Sequence, residues 1–396
     1  MQNHFDVIII GGGITGNASA LALAQCGLSV ALLSNEKPAS LTDALFDARI
    51  YALSHTSVQL LKDLRVWDAM QHERMCAVTD MRIMGDATHG ERQQGVLQFN
   101  AYSAHQSELA WIIEQNNIQA ALLQAIQFSP NITTIDDCAT ELNHTEIRTQ
   151  SGRTLTADLL IGSDGANSWL RQAAHIDADV FDYGQSGVVA NFNCAQPHHG
   201  RAHQWFLADG AVLALLPLPQ QKISMVYSCA QNTADELLDF DNEALSNHIT
   251  DLSHQILGNL TADAPAQAFK LKRMRAQRMI APHIVLIGDA AHTVHPMAGQ
   301  GLNLGLQDVA CLRHILMHRP TFRPIHDHVL LRQFERERTA ATAQMQGITH
   351  GLNRLFSHTH PAAQHLRNLG MNLLDVAPPL KRWLIKSAMG ASHTAP

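Results

Sequence analysis

The residues of this chain whose types and spacing could do chemistry lie in three glycine-rich segments. The first is Gly11-Gly12-Gly13-Ile14-Thr15-Gly16, which follows the apolar run Phe5 to Ile10. A helix-forming stretch, Asn17 to Cys26, comes next; Gly27 ends it, and a second apolar run spans Val30 to Leu33. Gly-x-Gly-x-x-Gly between a strand and a helix is the pattern that holds a dinucleotide. Gly11 permits the tight turn, Gly13 leaves room for the backbone to approach a pyrophosphate, and Gly16 lets the helix pack close to the strand. The helix N-terminus adds free N–H groups and positive partial charge. An acidic residue usually closes the second strand and holds the ribose. That place falls near Ser34, and Glu36, two residues on, is the candidate to replace it.

The second segment runs from Ala157 to Arg171 as a buried strand, a glycine turn and a helix. Asp164 sits at the strand's carboxyl end, where open α/β sheets place ligands. In the third, Ile284-Val285-Leu286-Ile287 ends in Gly288-Asp289, and the loop Pro296 to Gly305 opens a helix that reaches about Met317. Backbone N–H groups at such a helix start can face a ring carbonyl that becomes anionic on reduction. Asp289 can accept from a sugar-alcohol hydroxyl. Arg49 is the sole cation between Asp47 and Ser54, and its fork suits a phosphate or the polar edge of a cofactor.

These residues need a parallel sheet to position them, and the rest of the chain supplies a second architecture. Residues 76–100 hold short alternating runs that read as strands of another sheet, and residues 108–127 read as a helix with Glu114 and Gln115 at its start. Strands Gly187 to Asn193, Gln204 to Phe206, Val212 to Leu218 and Ile223 to Tyr227 form an antiparallel region, with turns at Asp209-Gly210 and Pro219 to Lys222. Such a sheet makes a wall for an apolar ligand, or simply a core. A long charged helix begins near His328, and the tail carries the basic, aromatic stretch Lys381 to Lys386, which could touch a membrane surface or pack on its own domain. The reading divides the chain into nucleotide-binding pieces at 1–75, 101–180 and 273–330, antiparallel pieces at 76–100 and 181–272, and C-terminal helices at 331–396.

With 396 residues, 46% hydrophobic and 16% charged, the composition is globular. A formal charge of −7 makes nucleic acid an unsuitable partner. Asp6 and the glycines interrupt the N-terminal apolar stretch, so no signal peptide is expected. No run reaches the ~18 apolar residues of a membrane span. A cytoplasmic protein is expected. Six scattered cysteines, without a Cys-x-x-Cys, suit a reducing compartment. Histidine is abundant at 24 residues, yet His292 and His295 lack the carboxylate or thiolate that would complete a metal set, so no metal is expected.

Together these segments resemble the FAD-dependent aromatic hydroxylases, most closely the branch of ubiquinone biosynthesis. Gly11-x-Gly13-x-x-Gly16 is like the family's ADP-binding motif, Asp164-Gly165 like its central Asp-Gly motif, and Gly288-Asp289 with the Pro296–Gly305 loop like its flavin motif. Asp47-Ala48-Arg49-Ile50, the Leu213 to Leu218 stretch and the tail around Arg367 to Arg382 also resemble that branch. Ser34 stands where the family has a glutamate. The resemblance implies an α/β fold: a Rossmann-like FAD domain with an inserted antiparallel substrate domain and a helical C-terminal tail. It implies FAD reduced by NAD(P)H and O₂ activated as a flavin C4a-hydroperoxide that hydroxylates a polyprenylated phenol or quinol. It assigns Gly11, Gly13, Gly16, Glu36, Arg49, Glu114, Asp164, Gly288, Asp289, Gly299, Gln300, Gly301 and Leu302 to the cofactor, with His292 and Pro296 lining the catalytic approach. The basic tail stretch Lys381 to Lys386 leaves open contact with other quinone-biosynthesis proteins or peripheral attachment at the inner membrane, though packing on its own domain is the commoner use of such a stretch. Two other readings stand beside it: a hydroxylase of a small soluble phenol, and a flavin-binding accessory subunit without turnover. A flavin halogenase is disfavoured, since no Trp-x-Trp occurs.

Overall fold

The computed structural model describes residues 3–36, 46–85, 95–294 and 300–357. Its central strand is His4–Ile10, buried from Val7 to Ile10. Val30–Leu33 and Thr154–Gly162 flank it, both parallel. Ile132–Ile135 extends the parallel sheet on one side and Ile284–Leu286 on the other. Parallel strands are covered on both faces, which is why the central ones read as continuous apolar runs. Helices Gln115–Gln127 and Gly301–Met317 both pack on helix Ile14–Ala24, and all three share one apolar core with this sheet.

The second large sheet is mainly antiparallel. Its longest strand, Ala178–Cys194, pairs with Lys222–Ala230 on one side and Gln267–Ala276 on the other. Val212–Leu218 and Arg201–Phe206 continue it, and the hairpin Asp80–Met84 with Val96–Asn100 closes that side, joined to Arg201–Phe206 in parallel. One face packs a separate core under helices Gln231–Asp239 and Asn242–Leu252. The strand–helix alternation of the chain ends and the hairpin-rich middle thus form the α/β architecture that the sequence predicts.

One predicted element is different. Residues 108–127 are not a single helix: Ala110–Glu114 is a strand, and the helix starts at Gln115. Trp111, Ile112 and Ile113 are aromatic or β-branched and favour a strand. They are paired on both sides, with Ile50–Leu53 and Cys76–Val78. The C-terminal helix runs His328–Ser357. The basic, aromatic stretch 381–386 lies outside the described residues.

Candidate active site

The three glycine segments meet at the carboxyl ends of adjacent parallel strands. Gly11 has φ +110°, and a Cβ there would lie 2.5 Å from the Ser163 carbonyl oxygen, so only glycine fits against the Ser163–Asp164 turn. A Cβ on Gly16 would lie 2.0 Å from the Gly11 carbonyl oxygen. Ser163 Oγ donates to the Ile10 and Gly11 carbonyls at 3.0 and 3.1 Å. Arg171 ties the second turn to the third, donating to Ala166 O at 2.8 Å and Ala290 O at 2.9 Å. Gly288 and Gly305 both press on Thr15 of the first helix.

Two helix starts face open space. Among the described residues, a Cβ on Gly13 or on Gly301 would meet nothing within 4 Å. Neither Gly13 nor Gln300, the residues that precede these helices, caps its helix with a side chain. Elsewhere, Ser54, Ser168 and Asp241 do cap theirs. Uncapped N–H groups with room in front of them suit an anion or an electron-rich oxygen.

Asp289 is exposed, yet the protein packed around it pushes its carboxyl pKa up; His292 opposes that shift and Asp308 adds to it. Tyr51 is close enough to feel both Asp289 and Arg49. Burial, then Asp289, pushes its phenol pKa up to about 12, while Arg49 pulls it down. Its hydroxyl bonds Gln115 Oε1 at 3.1 Å. Arg49 is exposed, and its guanidinium has no hydrogen bond or ion pair among the described residues. Glu114, fully buried, takes Arg74 in a two-pronged pair at 2.7 and 2.8 Å and accepts from Asp47 N at 2.6 Å. It therefore anchors the segment that presents Arg49.

Behind the third turn, Asp308 is completely buried. It accepts from Gly288 N at 2.9 Å, His292 Nε2 at 2.8 Å and Arg338 Nε at 2.6 Å. Burial favours its neutral form, but His292, Arg338 and the Gly288 N–H outweigh it and hold its pKa below the ordinary carboxylate range. Because Asp308 is an acceptor, Nε2 of His292 carries the proton. Asn303 pins the same helix to the turn before His55: it accepts from Ser54 N and Ser57 Oγ and donates to Ala52 O.

The antiparallel sheet supplies a wall. Asn191 donates to Phe46 O and Asp47 O at 3.1 and 3.0 Å, which identifies the face turned towards Arg49. By register, Val189, Val226, Ala214 and Leu216 share that face. Val226, Ala214 and Leu216 are half-buried, an apolar surface still open. Of the two cations between Val188 and Tyr227, Lys222 is held by Asp263 at 2.7 Å. Arg201 alternates onto the opposite face with Trp205.

Residues 4–347 match the model of a family described as FAD binding domain. The chain belongs to this family. It is 33% identical over 392 residues to the 3-demethoxyubiquinol 3-hydroxylase of Escherichia coli (strain K12), covering 97% of this chain and 98% of that protein. It is 29% identical over 398 residues to the ubiquinone hydroxylase UbiL of Rhodospirillum rubrum, covering 99% and 91%. Among solved structures, P. aeruginosa PqsL in complex with 2-aminobenzoylacetate has the same fold, with a TM-score of 0.77 and 21% identity over 93% of this chain and 99% of that one.

The residues present fit FAD. Among the described residues, Gly13 and Gly301 leave open space in front of helix starts without a side-chain cap, and Asp289 is an exposed carboxylate beside them in the third turn. Of the residues that sequence reasoning singled out, Gly11, Gly16, Asp164, Gly288 and Asp289 are gathered at one sheet edge, with Gly13, Gln300, Gly301 and Leu302 at the helix starts beside it. Glu36 stands exposed beyond the second strand, its N–H bonded to Ser34 Oγ at 3.1 Å. His292 is 3% exposed and turned to Asp308. Pro296 and Gly299 lie outside the described residues. Sequence reasoning missed Tyr51, Asn303, Asp308 and Arg338. Asn303 and Asp308 are polar residues inside an otherwise apolar helical stretch, a signal that could have marked them.

Proposed function

We propose that this chain is an FAD-dependent monooxygenase that hydroxylates the ring of a polyprenylated ubiquinone precursor, using NAD(P)H and O₂. One observation carries the reading: relatives matched over more than nine-tenths of their length are named 3-demethoxyubiquinol 3-hydroxylase and ubiquinone hydroxylase, and the sheet face that Asn191 turns towards the Asp47–Arg49 segment carries half-buried Val226, Ala214 and Leu216 to suit an apolar ring. A prenylated ring calls for apolar surface.

FAD, reduced by NAD(P)H, supplies the activation of O₂ for insertion of one oxygen atom into the ring. The chain binds and orients. The N–H groups after Gly13 take the pyrophosphate, and Gly11 and Gly16 set the turn. Asp289 accepts from ribityl hydroxyls, and Gly288 gives its turn the required backbone. The N–H groups at the helix start Gly301–Leu302 would stabilise charge on the ring carbonyl. Arg49, presented by Glu114, serves a phosphate or the reductant. Glu36 serves the adenosine ribose, and Asp164 supports the reductant side. Pro296 is assigned to the approach, while His292, turned to Asp308, backs the third turn from inside. Val226, Ala214 and Leu216 exclude water and hold the substrate ring beside the flavin. Contact with other quinone-biosynthesis proteins and with the inner membrane belongs to the same reading.

The test is NAD(P)H oxidation by the purified, FAD-loaded protein, with product mass measured. A short-chain prenylated ring should stimulate oxidation and gain one oxygen atom. Stimulation only by small soluble phenols would replace the substrate class. No stimulation by any ring would favour the accessory-subunit reading.

A further inference from the structure

We propose that Arg338, on the long C-terminal helix, is a positioning residue for FAD: through Asp308 it fixes the Gly288–Asp289 turn and so aims the Asp289 carboxylate at the cofactor. The inference rests on the assignment of Asp289 to the FAD site.

The chain of contacts is continuous. Arg338 Nε donates to Asp308 Oδ1 at 2.6 Å, and Asp308 Oδ2 accepts from Gly288 N at 2.9 Å. Gly288 has φ +57°, and a Cβ there would sit 3.1 Å from Thr15. The turn is thus wedged between Thr15 on one side and the Asp308 carboxylate on the other, and Asp289 is the next residue outward. A buried carboxylate holds its charge only where cations and N–H groups surround it. Arg338 is the permanent cation in that set.

The helix is built for this contact. Glu335, Arg338, Thr342 and Gln346 recur at spacings of three and four, which places them on one face. Each is more than nine-tenths buried. Glu335 accepts from Met279 N at 3.0 Å, and Gln346 donates to Thr293 O at 3.2 Å. A core-facing stripe is ordinarily apolar. Here it is polar, and its partners flank the Gly288–Asp289 turn in sequence.

Flavin-fluorescence titration of apoprotein with FAD tests the proposal, using R338M, R338K, D289A and the double variant R338M/D289A. R338M should weaken FAD binding on the order of tenfold to a hundredfold, the range for losing a hydrogen bond to a charged group, and R338K should recover most of it. In the D289A background, R338M should cause no further loss. Additive losses would overturn the proposal, because Arg338 would then act by a route other than Asp289. Normal FAD affinity in folded R338M, judged by circular dichroism and denaturant midpoint of the apoprotein, would reduce Arg338 to a structural role. If R338M does not fold, D308N carries the test. D308N puts an N–H donor opposite existing donors and should weaken FAD binding as R338M would; unchanged affinity in folded D308N would overturn the proposal. D289A binding FAD like the parent would instead refute the assignment of Asp289.

Discussion

Gly13 and Gly16 belong to one motif, but the structure gives them opposite costs. Gly13 has φ −70° and ψ −179°, which any residue adopts, and no atom lies within 4 Å of its missing Cβ. Gly13→Val should therefore leave the apoprotein folded, at a cost of about 1 kcal/mol for a poor helix cap. The added methyl groups fill the space through which a pyrophosphate reaches the N–H groups. A loss of FAD affinity of a hundredfold or more is expected, which corresponds to ~2.7 kcal/mol. Gly16→Ala reverses the pattern. Its Cβ would sit 2.0 Å from Gly11 O and 2.6 Å from Ser163 Oγ. Overpacking of that kind costs ~3 kcal/mol, offset by ~1 kcal/mol of better helix propensity. The net loss of ~2 kcal/mol is in the fold itself. Urea unfolding of both apoproteins, with absorbance at flavin wavelengths after FAD loading, separates the two effects. Gly13→Val purified with a full complement of flavin, or Gly16→Ala with an unchanged urea midpoint, would refute the reasoning.

Asp289→Ala should weaken FAD retention while leaving the urea midpoint of the apoprotein unchanged; equal flavin content after dialysis would remove Asp289 from the site. Asn303→Ala strands Ser54 N, Ser57 Oγ and Ala52 O and should destabilise the protein by ~2–3 kcal/mol, read as a lowered denaturation midpoint. His203 is 3% exposed, and burial, then Arg201 and Arg82, lower its pKa from 6.5 to about 4. The folded protein thus binds fewer protons there than the unfolded chain. Stability is full above pH 6.5 and is lost as pH falls towards 4, by about 3 kcal/mol in all. His203→Gln should flatten that limb of the pH–stability profile, and a profile identical to the parent's would dismiss His203 as its cause.

Much of this was legible because it is local. A strand, a glycine turn and a helix announce themselves within a few residues, so the three turns and most strand positions could be read directly. The strand at Ala110–Glu114 could not. Ile112, Ile113 and Ile118 suit a helical period as well as a strand, and the choice was made by partners about 60 and 35 residues upstream, Ile50–Leu53 and Cys76–Val78. The Asp308 cluster was hidden for the same reason. Arg338 lies in a run of charges, Arg332 to Arg338, that reads as a solvated face, and only packing of the long helix buries it. Glu114 shows the same limit: its partner Arg74 is 40 residues away, and no local pattern links them.

The measurement that bears most directly on the proposed activity is mass spectrometry of lipid extracts from cells lacking this gene. Accumulation of a prenylated ring that lacks one oxygen is the predicted result, and its structure would identify the carbon. A quinone pool of unchanged composition, with no such intermediate, would contradict it.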